Sequence, residues 1–279
     1  MFCKGRRDLN QSVDEIMQDL KVAVIQTSQF WEDKKRNLDH FERTFLNELK
    51  GKEVDLVLLP EMFNTSFTMN VEEMAEVMDG DSITWLFKWA TRLKCQMGAS
   101  LIIRENDKFY NRFVIISENG LETYYDKRHL FRMANENDYF SEGQERVLHT
   151  INGWKVFLQL CYDLRFPVFS RSRTIAGKKE YDLIVYIANW PERRNNVWKT
   201  LLTARAMENQ AYCIGVNRVG VDGKDITYTG DSAVIDPWGK VIERFPEREE
   251  LCKICTLDYQ AIDEITEKFP AFKDADRIE

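Results

Sequence analysis

The sequence VFLQLCYDLRFP, residues 156–167, changes character at a single thiol. Five mostly apolar residues lead into Cys161, and the charged Asp163 and Arg165 follow before Pro167. The apolar run predicts a strand, and the polar segment predicts a turn that leads into a helix. Open α/β sheets build their sites from residues at such junctions, at the carboxyl edge of the sheet. Cys161 is therefore either a small core residue, as free cysteines often are, or a nucleophile that needs a base and an oxyanion partner elsewhere.

The rest of the chain alternates apolar runs with helical stretches, which predicts a mixed, layered α/β fold. The runs VDLVLLP (54–60) and DLIVYIAN (182–189) are almost continuously apolar, as expected of strands covered on both faces. Residues 108–117 and 121–130 flank the turn signal ENG and predict an antiparallel hairpin. Helices are predicted between such runs, at residues 34–50, 82–94, 168–176 and 197–209. These patterns leave the order of the strands open.

The chain reads as one domain. Its 279 residues are 44% hydrophobic and 12% aromatic, enough to fill a substantial core. No linker rich in Pro, Gly or Ser and no internal repeat divides it. We predict a single domain over residues 21–279 and an N-terminal extension, residues 1–20, whose apolar positions from Val13 to Leu20 have helical spacing.

Charge and targeting signals restrict the partners and the compartment. The net charge is −7, and acidic and basic residues are interspersed, which argues against a nucleic-acid or membrane partner and favours a small molecule. The N-terminus lacks the apolar core of a signal peptide, and no segment has eighteen consecutive apolar residues, so we predict a cytoplasmic protein. The six scattered cysteines are typical of reduced intracellular thiols: Cys3, Cys95, Cys161, Cys213, Cys252 and Cys255.

A histidine is the commonest activator of a cysteine nucleophile, but the chain offers little choice. Of three histidines, His40 lies in a charged helical stretch and His149 in a loop-like one. Only His129, which follows a predicted strand, is a candidate partner of Cys161. The alternative for His129 is a local hydrogen bond at the strand end.

A carboxylate and a lysine at other strand ends are better candidate partners for Cys161 than the histidines. Glu61 ends the apolar run DLVLLPE, where burial would raise its pKa toward the value that suits a general base. Lys127 lies just past another strand, where its ammonium could stabilise an oxyanion. The alternatives are a solvated or capping glutamate and a surface lysine.

Three segments together resemble, in order and spacing, the catalytic motifs of the nitrilase superfamily of carbon–nitrogen hydrolases. They are LLPEMF (58–63), YYDKRHLF (124–131) and LQLCYDLRFP (158–167). The resemblance extends from about Lys21 to Asp258. Within it, ANWP, TARAMENQAYCIGVNRVG and YTGDSAVIDPWGKV look most like the omega-amidase branch.

The resemblance implies an α/β fold with a four-layer α-β-β-α sandwich, and it implies a role for each residue. Cys161 would attack an amide carbonyl, Glu61 would act as general base, and Lys127 would support the oxyanion together with the backbone N–H of Tyr162. Family members usually carry a second glutamate after the lysine, and Glu136 fits that branch better than Glu142, the alternative being a solvated loop acid.

In the family no metal or organic cofactor is needed, and we predict none here. Cys252 and Cys255 form a C-x-x-C, but three residues apart on a strand they would point to opposite faces, and no second pair of ligands follows. Both therefore read as structural cysteines.

Candidate substrate-binding residues are of two kinds. Phe67 and Trp190 are predicted to wall a pocket, with Met69 as a further candidate; aromatic residues near strand ends also pack in cores. Arg165 or Arg193 is predicted to receive a substrate carboxylate, unless Arg165 locks the nucleophile turn through a neighbouring acid.

We therefore predict a hydrolase that cleaves the terminal amide of a small dicarboxylic acid monoamide, such as 2-oxoglutaramate, through a cysteinyl thioester with release of ammonia. Alternatives are an N-carbamoyl amino-acid hydrolase, another aliphatic amidase, a nitrilase, or a catalytically silent binding protein. A homodimer is predicted, since the stretches 166–177 and 201–212 supply more apolar positions than one covering layer needs.

Overall fold

Two six-stranded sheets, each built from the apolar runs, form the centre of the protein. The computed structural model describes residues 17–276. In chain order the strands are β1 (Leu20–Gln26), β2 (Leu56–Leu58), β3 (Gln96–Glu105), β4 (Lys108–Ser117), β5 (Gly120–Asp126), β6 (Leu148–Ile151), β7 (Trp154–Leu160), β8 (Thr174–Ile175), β9 (Lys178–Lys179), β10 (Leu183–Ala188), β11 (Tyr212–Asn217), β12 (Val219–Val221), β13 (Thr227–Thr229), β14 (Ala233–Ile235), β15 (Val241–Arg244) and β16 (Leu251–Leu257).

The helices cover the outer faces and the ends of these sheets. They are α1 (Lys34–Phe41), α2 (Asn47–Leu49), α3 (Val71–Met74), α4 (Asp81–Leu93), α5 (Glu136–Tyr139), α6 (Pro167–Ser170), α7 (Asn195–Asn209) and α8 (Gln260–Lys268). Within residues 17–276, no helix combines the length and apolar composition that crossing a membrane requires.

The first sheet has the order β16-β1-β2-β3-β4-β5 and the second the order β15-β14-β11-β10-β7-β6. Each contains three central parallel strands, β1-β2-β3 and β7-β10-β11, with antiparallel neighbours outside them. The carboxyl ends of parallel strands lie at one edge of a sheet, and both sheets therefore offer such an edge for a site.

Alternating side chains build the layers. On β1, Val22 and Val24 enter the core between the two sheets, whereas Ala23 and Ile25 pack into the core beneath α1 and α4. The second sheet is layered in the same way, and its outer face packs against α7. Gly215 on β11 permits that close approach, since a Cβ there would lie 2.4 Å from the side chain of Leu202. The predicted four-layer α-β-β-α sandwich is thus confirmed.

Three local predictions need correction. The helix predicted at 168–176 is only α6, because Ala176 and Gly177 both have positive φ and close a two-residue hairpin between β8 and β9. The stretch 34–50 is helical but contains a π-helical turn, Glu42–Leu46, between α1 and α2. The helix predicted before the first strand falls mostly outside the described residues, and it is wrong for 17–20, because residues 17–19 are neither helix nor strand and β1 begins at Leu20.

Candidate active site

Cys161 stands at the carboxyl end of β7, in a backbone conformation that few residues adopt. Its φ is 43°, in the left-handed region, and it starts a 3₁₀ turn, Cys161–Arg165. A sharp strand-to-helix turn of this kind holds a side chain away from the strand that precedes it. Cys161 is 9% exposed and lines a cavity.

A buried carboxylate anchors this turn. Asp163 accepts hydrogen bonds from the backbone N–H of Leu160 (2.9 Å), the hydroxyl of Tyr125 (2.7 Å), and the backbone N–H and ring Nδ1–H of His129 (3.0 and 2.7 Å). His129 thus has the local hydrogen bond that was its alternative, and its ring is committed to the turn rather than free to act as a base.

Three fully buried charged residues converge beside Cys161. Lys127, just past β5, places Nζ 2.9 Å from Oε1 of Glu61 and 3.0 Å from both carboxylate oxygens of Glu136. All three side chains are 0% exposed. Glu61 follows β2 and Glu136 begins α5, so the cluster joins elements separated by up to 75 residues. Glu142, the candidate that the sequence favoured less than Glu136, is instead exposed and accepts a hydrogen bond from Gln144.

Two asparagines orient the carboxylate of Glu61. The Asn111 side chain donates to Oε1 at 2.8 Å, and the backbone N–H of Asn189 donates to Oε2 at 2.8 Å. The sequence analysis missed both residues. A signal existed for each: Asn111 is a polar residue in the middle of a predicted strand, and Asn189 directly follows β10 at the same sheet edge as Cys161.

The electrostatics of the cluster follow from its burial. Burial raises the pKa of the Cys161 thiol well above its usual value, and the negative charge of Glu61 raises that pKa further. Burial alone would lower the pKa of Lys127, but Glu136 and Glu61 outweigh it and raise that pKa above its ordinary value. Burial also raises the pKa of Glu136. The arrangement therefore holds a neutral thiol next to a carboxylate and a permanent ammonium.

The next peptide unit supplies a further donor. Tyr162 follows Cys161 in the first turn of the 3₁₀ segment, where backbone N–H groups have no partner within the turn. Its position immediately after the sulfur-bearing residue is that of an oxyanion donor in nucleophile turns.

A cavity of about 290 Å³ opens in front of the thiol. Its walls combine aromatic side chains with four cationic ones: Phe67, Phe131, Tyr162, Arg165, Trp190, Arg193, Arg194, Lys224 and Tyr228. The predicted substrate-binding residues Phe67, Arg165, Trp190 and Arg193 are all among them. Lys127 Nζ lies 5.1 Å from the ring centre of Phe67. The further candidate Met69 packs instead against a small apolar cluster around Met62.

Within the described part of the chain, Arg165 forms no ion pair with an acid that would lock the turn at Cys161. Its guanidinium lies 5.3 Å from the ring centre of Trp190 on the cavity wall, while Asp163 is satisfied by other donors. Trp190 is 3% exposed and fixed by a 2.8 Å hydrogen bond from its indole N–H to the carbonyl of Arg194.

The C-x-x-C residues lie apart. Cys252 packs toward the core beneath α1 and α4, and Cys255 enters the core between the sheets, so they face opposite sides of β16 as predicted. Across residues 17–276, no group of three or more His, Cys, Asp or Glu side chains is arranged to hold a metal ion.

The sandwich is that of the nitrilase superfamily. This chain belongs to the carbon–nitrogen hydrolase family, whose profile matches residues 21–267. It is 40% identical to the omega-amidase YafV of Escherichia coli K12 over 94% of this chain and 99% of the relative. It is 33% identical to the 2-oxoglutaramate amidase of Bacillus subtilis, over 82% and 88%.

Solved structures agree with this assignment. XC1258 of Xanthomonas campestris, a CN-hydrolase superfamily protein with an arsenic adduct in its active site, superposes with a TM-score of 0.90 at 40% identity, covering 94% of this chain and 99% of that one. Nit3 of Saccharomyces cerevisiae, a member of branch 10 of the nitrilase superfamily, superposes with a TM-score of 0.79 at 26% identity, covering 91% and 95%.

Proposed function

We propose that this protein hydrolyses the terminal amide of a small dicarboxylic acid monoamide, such as 2-oxoglutaramate, and releases ammonia. The observation that carries the proposal is the buried cluster of Glu61, Lys127 and Glu136 beside a thiol that faces a cationic cavity. The relatives described as omega-amidases and as a 2-oxoglutaramate amidase support the choice of substrate.

The first half of the reaction forms a thioester. Because its pKa is raised, the Cys161 thiol needs a base, and Glu61, whose negative charge acts on the thiol, takes the proton as the sulfur attacks the amide carbon. The carbonyl oxygen becomes an oxyanion that accepts hydrogen bonds from Lys127 Nζ and the backbone N–H of Tyr162. The C–N bond then breaks, and Glu61 returns the proton to the departing ammonia.

The second half repeats these roles with water. Glu61 takes a proton from the water that attacks the thioester carbon, and the proton passes to the sulfur as the C–S bond breaks. Glu136 binds Lys127 Nζ through both carboxylate oxygens, which keeps the ammonium aimed at the oxyanion. No step requires a metal or an organic cofactor.

Ammonia release by purified protein tests the proposal. The panel contains 2-oxoglutaramate, succinamate, butyramide, an N-carbamoyl amino acid and an aliphatic nitrile, with Cys161→Ala as the control. We expect the highest kcat/KM with the two acidic monoamides and a covalent acyl adduct in the intact mass of the stalled enzyme. Faster turnover of the carbamoyl compound or the nitrile would show that the protein is an N-carbamoyl amino-acid hydrolase or a nitrilase instead. No turnover of any compound would favour a catalytically silent binding protein.

We also propose a homodimer in the cytoplasm, with one domain over residues 21–279. Val168 on α6 and Met207 on α7 are 68% and 55% exposed, which supports an apolar contact on that outer face. Leu202 is instead buried against the protein's own sheet. Light scattering at micromolar concentration tests the assembly, because one chain has a mass of 33.0 kDa; cell fractionation tests the location.

A further inference from the structure

We infer that Arg194 selects acidic amides over neutral ones by binding the substrate carboxylate at the end remote from the scissile bond. The inference rests on the proposed function and names the group that determines its substrate class. Sequence analysis had considered only Arg165 and Arg193 for this task.

The cavity wall carries more positive than negative charge. Arg165, Arg193, Arg194 and Lys224 line it, and within the described part of the chain none of the four forms an ion pair. A substrate with a free carboxylate would therefore meet cations that have no competing partner there.

Among the described residues, Asp222 is the one acid on the cavity wall, and donors of its own hairpin already bind its carboxylate. Asp222 accepts hydrogen bonds from the backbone N–H groups of Lys224 (2.8 Å) and Ile226 (3.0 Å) and from the hydroxyl of Tyr228 (2.8 Å). Its carboxylate oxygens thus close the turn between β12 and β13, and within residues 17–276 Asp222 forms no ion pair with the arginines of the cavity wall.

Arg194 differs from Arg193 in its surroundings. Arg193 is exposed at the rim, where water already solvates its guanidinium. Arg194 is half-buried, and its guanidinium lies 5.0 Å from the ring centre of Phe131. Its backbone is held by the Trp190 indole, which donates to the carbonyl of Arg194. A partly desolvated guanidinium in a fixed position has the most to gain from a bidentate carboxylate.

The charges around Arg194 agree with this placement. Burial lowers the pKa of its guanidinium, the neighbouring Arg193 lowers it further, and Cys161 acts in the opposite direction. Arginine nevertheless stays protonated in proteins. Arg194 lines the same cavity as Cys161, whereas Arg165 belongs to the 3₁₀ turn that begins at Cys161 and rests against Trp190.

Paired substrates test the inference. Succinamate and butyramide differ mainly in a carboxylate that replaces a methyl group, so their ratio of kcat/KM measures recognition of that charge. For Arg194→Gln we expect kcat/KM with succinamate to fall by about 10- to 100-fold, mostly through KM, because the contact is made in the ground state and the transition state alike. Butyramide should change by less than about threefold, since the variant removes nothing that it contacts.

Two further variants sharpen the comparison. Arg132→Gln removes a positive charge from an exposed residue beside the cavity that does not line it, and it should keep the wild-type ratio. Arg194→Lys should recover part of the preference, because it restores the charge without the bidentate fork. The inference is overturned if Arg194→Gln keeps the wild-type ratio of kcat/KM for the two substrates, or if its kcat/KM falls equally for both. It is also overturned if Arg165→Gln loses the preference for succinamate and Arg194→Gln does not.

Binding of succinate decides the matter independently of turnover. Calorimetry should show that Arg194→Gln weakens succinate binding by a factor similar to its loss with succinamate, whereas Arg132→Gln binds as the wild type does. If the wild-type protein hydrolyses no amide, the proposed function fails, yet this binding comparison still supports or overturns the role of Arg194.

Discussion

Replacing Lys127 by methionine tests the buried charge cluster most directly. The substitution preserves most of the side-chain volume but leaves the carboxylates of Glu61 and Glu136 facing each other without a cation, both 0% exposed. Each lies 2.9–3.0 Å from the lost Nζ. At an effective dielectric constant of about 20, each contact represents roughly 5 kcal/mol of Coulomb attraction before the cost of desolvation is subtracted.

The net loss is smaller because burying the charges was itself costly. Breaking a buried ion pair by removing one partner typically destabilises a protein by about 3–5 kcal/mol. For a chain of this size that corresponds to a fall in Tm of roughly 6–20 °C. Loss of the oxyanion donor should also lower kcat by about 10² to 10³.

The stability difference between wild type and Lys127→Met should depend on pH in a defined direction. Two like charges at such a distance raise the pKa of one carboxyl group, so the folded variant holds a proton that the unfolded chain releases near pH 4.3. A carboxyl with a raised folded pKa destabilises increasingly as the pH rises from the unfolded value through the folded one. The stability gap between wild type and Lys127→Met should therefore narrow as the pH falls from about 7.5 toward 5.

Urea denaturation at several pH values, with ammonia release in parallel, provides the assay. The double variant Lys127→Met, Glu136→Gln is the matched control, because it removes one of the two carboxylates that repel each other. It should be more stable than Lys127→Met at neutral pH and equally inactive. Wild-type stability in Lys127→Met at pH 7.5, or a gap that widens on acidification, would refute the electrostatic reasoning.

Three other predictions follow from the same geometry. Iodoacetamide should label Cys161 before Cys95 and Cys213, which are buried in cores, and peptide mapping should show protection by substrate; activity retained in Cys161→Ala would exclude it as the nucleophile. Glu61→Gln should fold with a normal melt yet lose about 10² to 10⁴ in kcat, because it removes the base; unchanged kcat would contradict the role. Asp163→Ala should lose roughly 3–5 kcal/mol in urea denaturation because it leaves four donors without their acceptor, and an unaltered midpoint would contradict its role as the anchor of the nucleophile turn.

Short-range patterns in the sequence were enough to predict many of the strands and the position of Lys127 at a strand end. Apolar runs bounded by charged residues predicted the strands that precede Glu61 and Cys161, because a strand buried on both faces tolerates few polar side chains along its length. The same patterns placed Lys127 at the end of a hairpin strand. They failed at residues 168–176, where a two-residue turn with positive φ at Ala176 outweighed helical periodicity.

What only the tertiary structure decided is which distant groups meet. Asn189 reaches Glu61 from 128 residues away, and Asp163 binds Tyr125 from 38 residues away. Neither contact leaves a periodic trace in the sequence, because each depends on how two sheets and their edges are packed against one another. The same holds for Arg194: its residue type is visible in the chain, but its partial burial beside Phe131 on the wall of the cavity in front of Cys161 is a property of the packed sandwich alone.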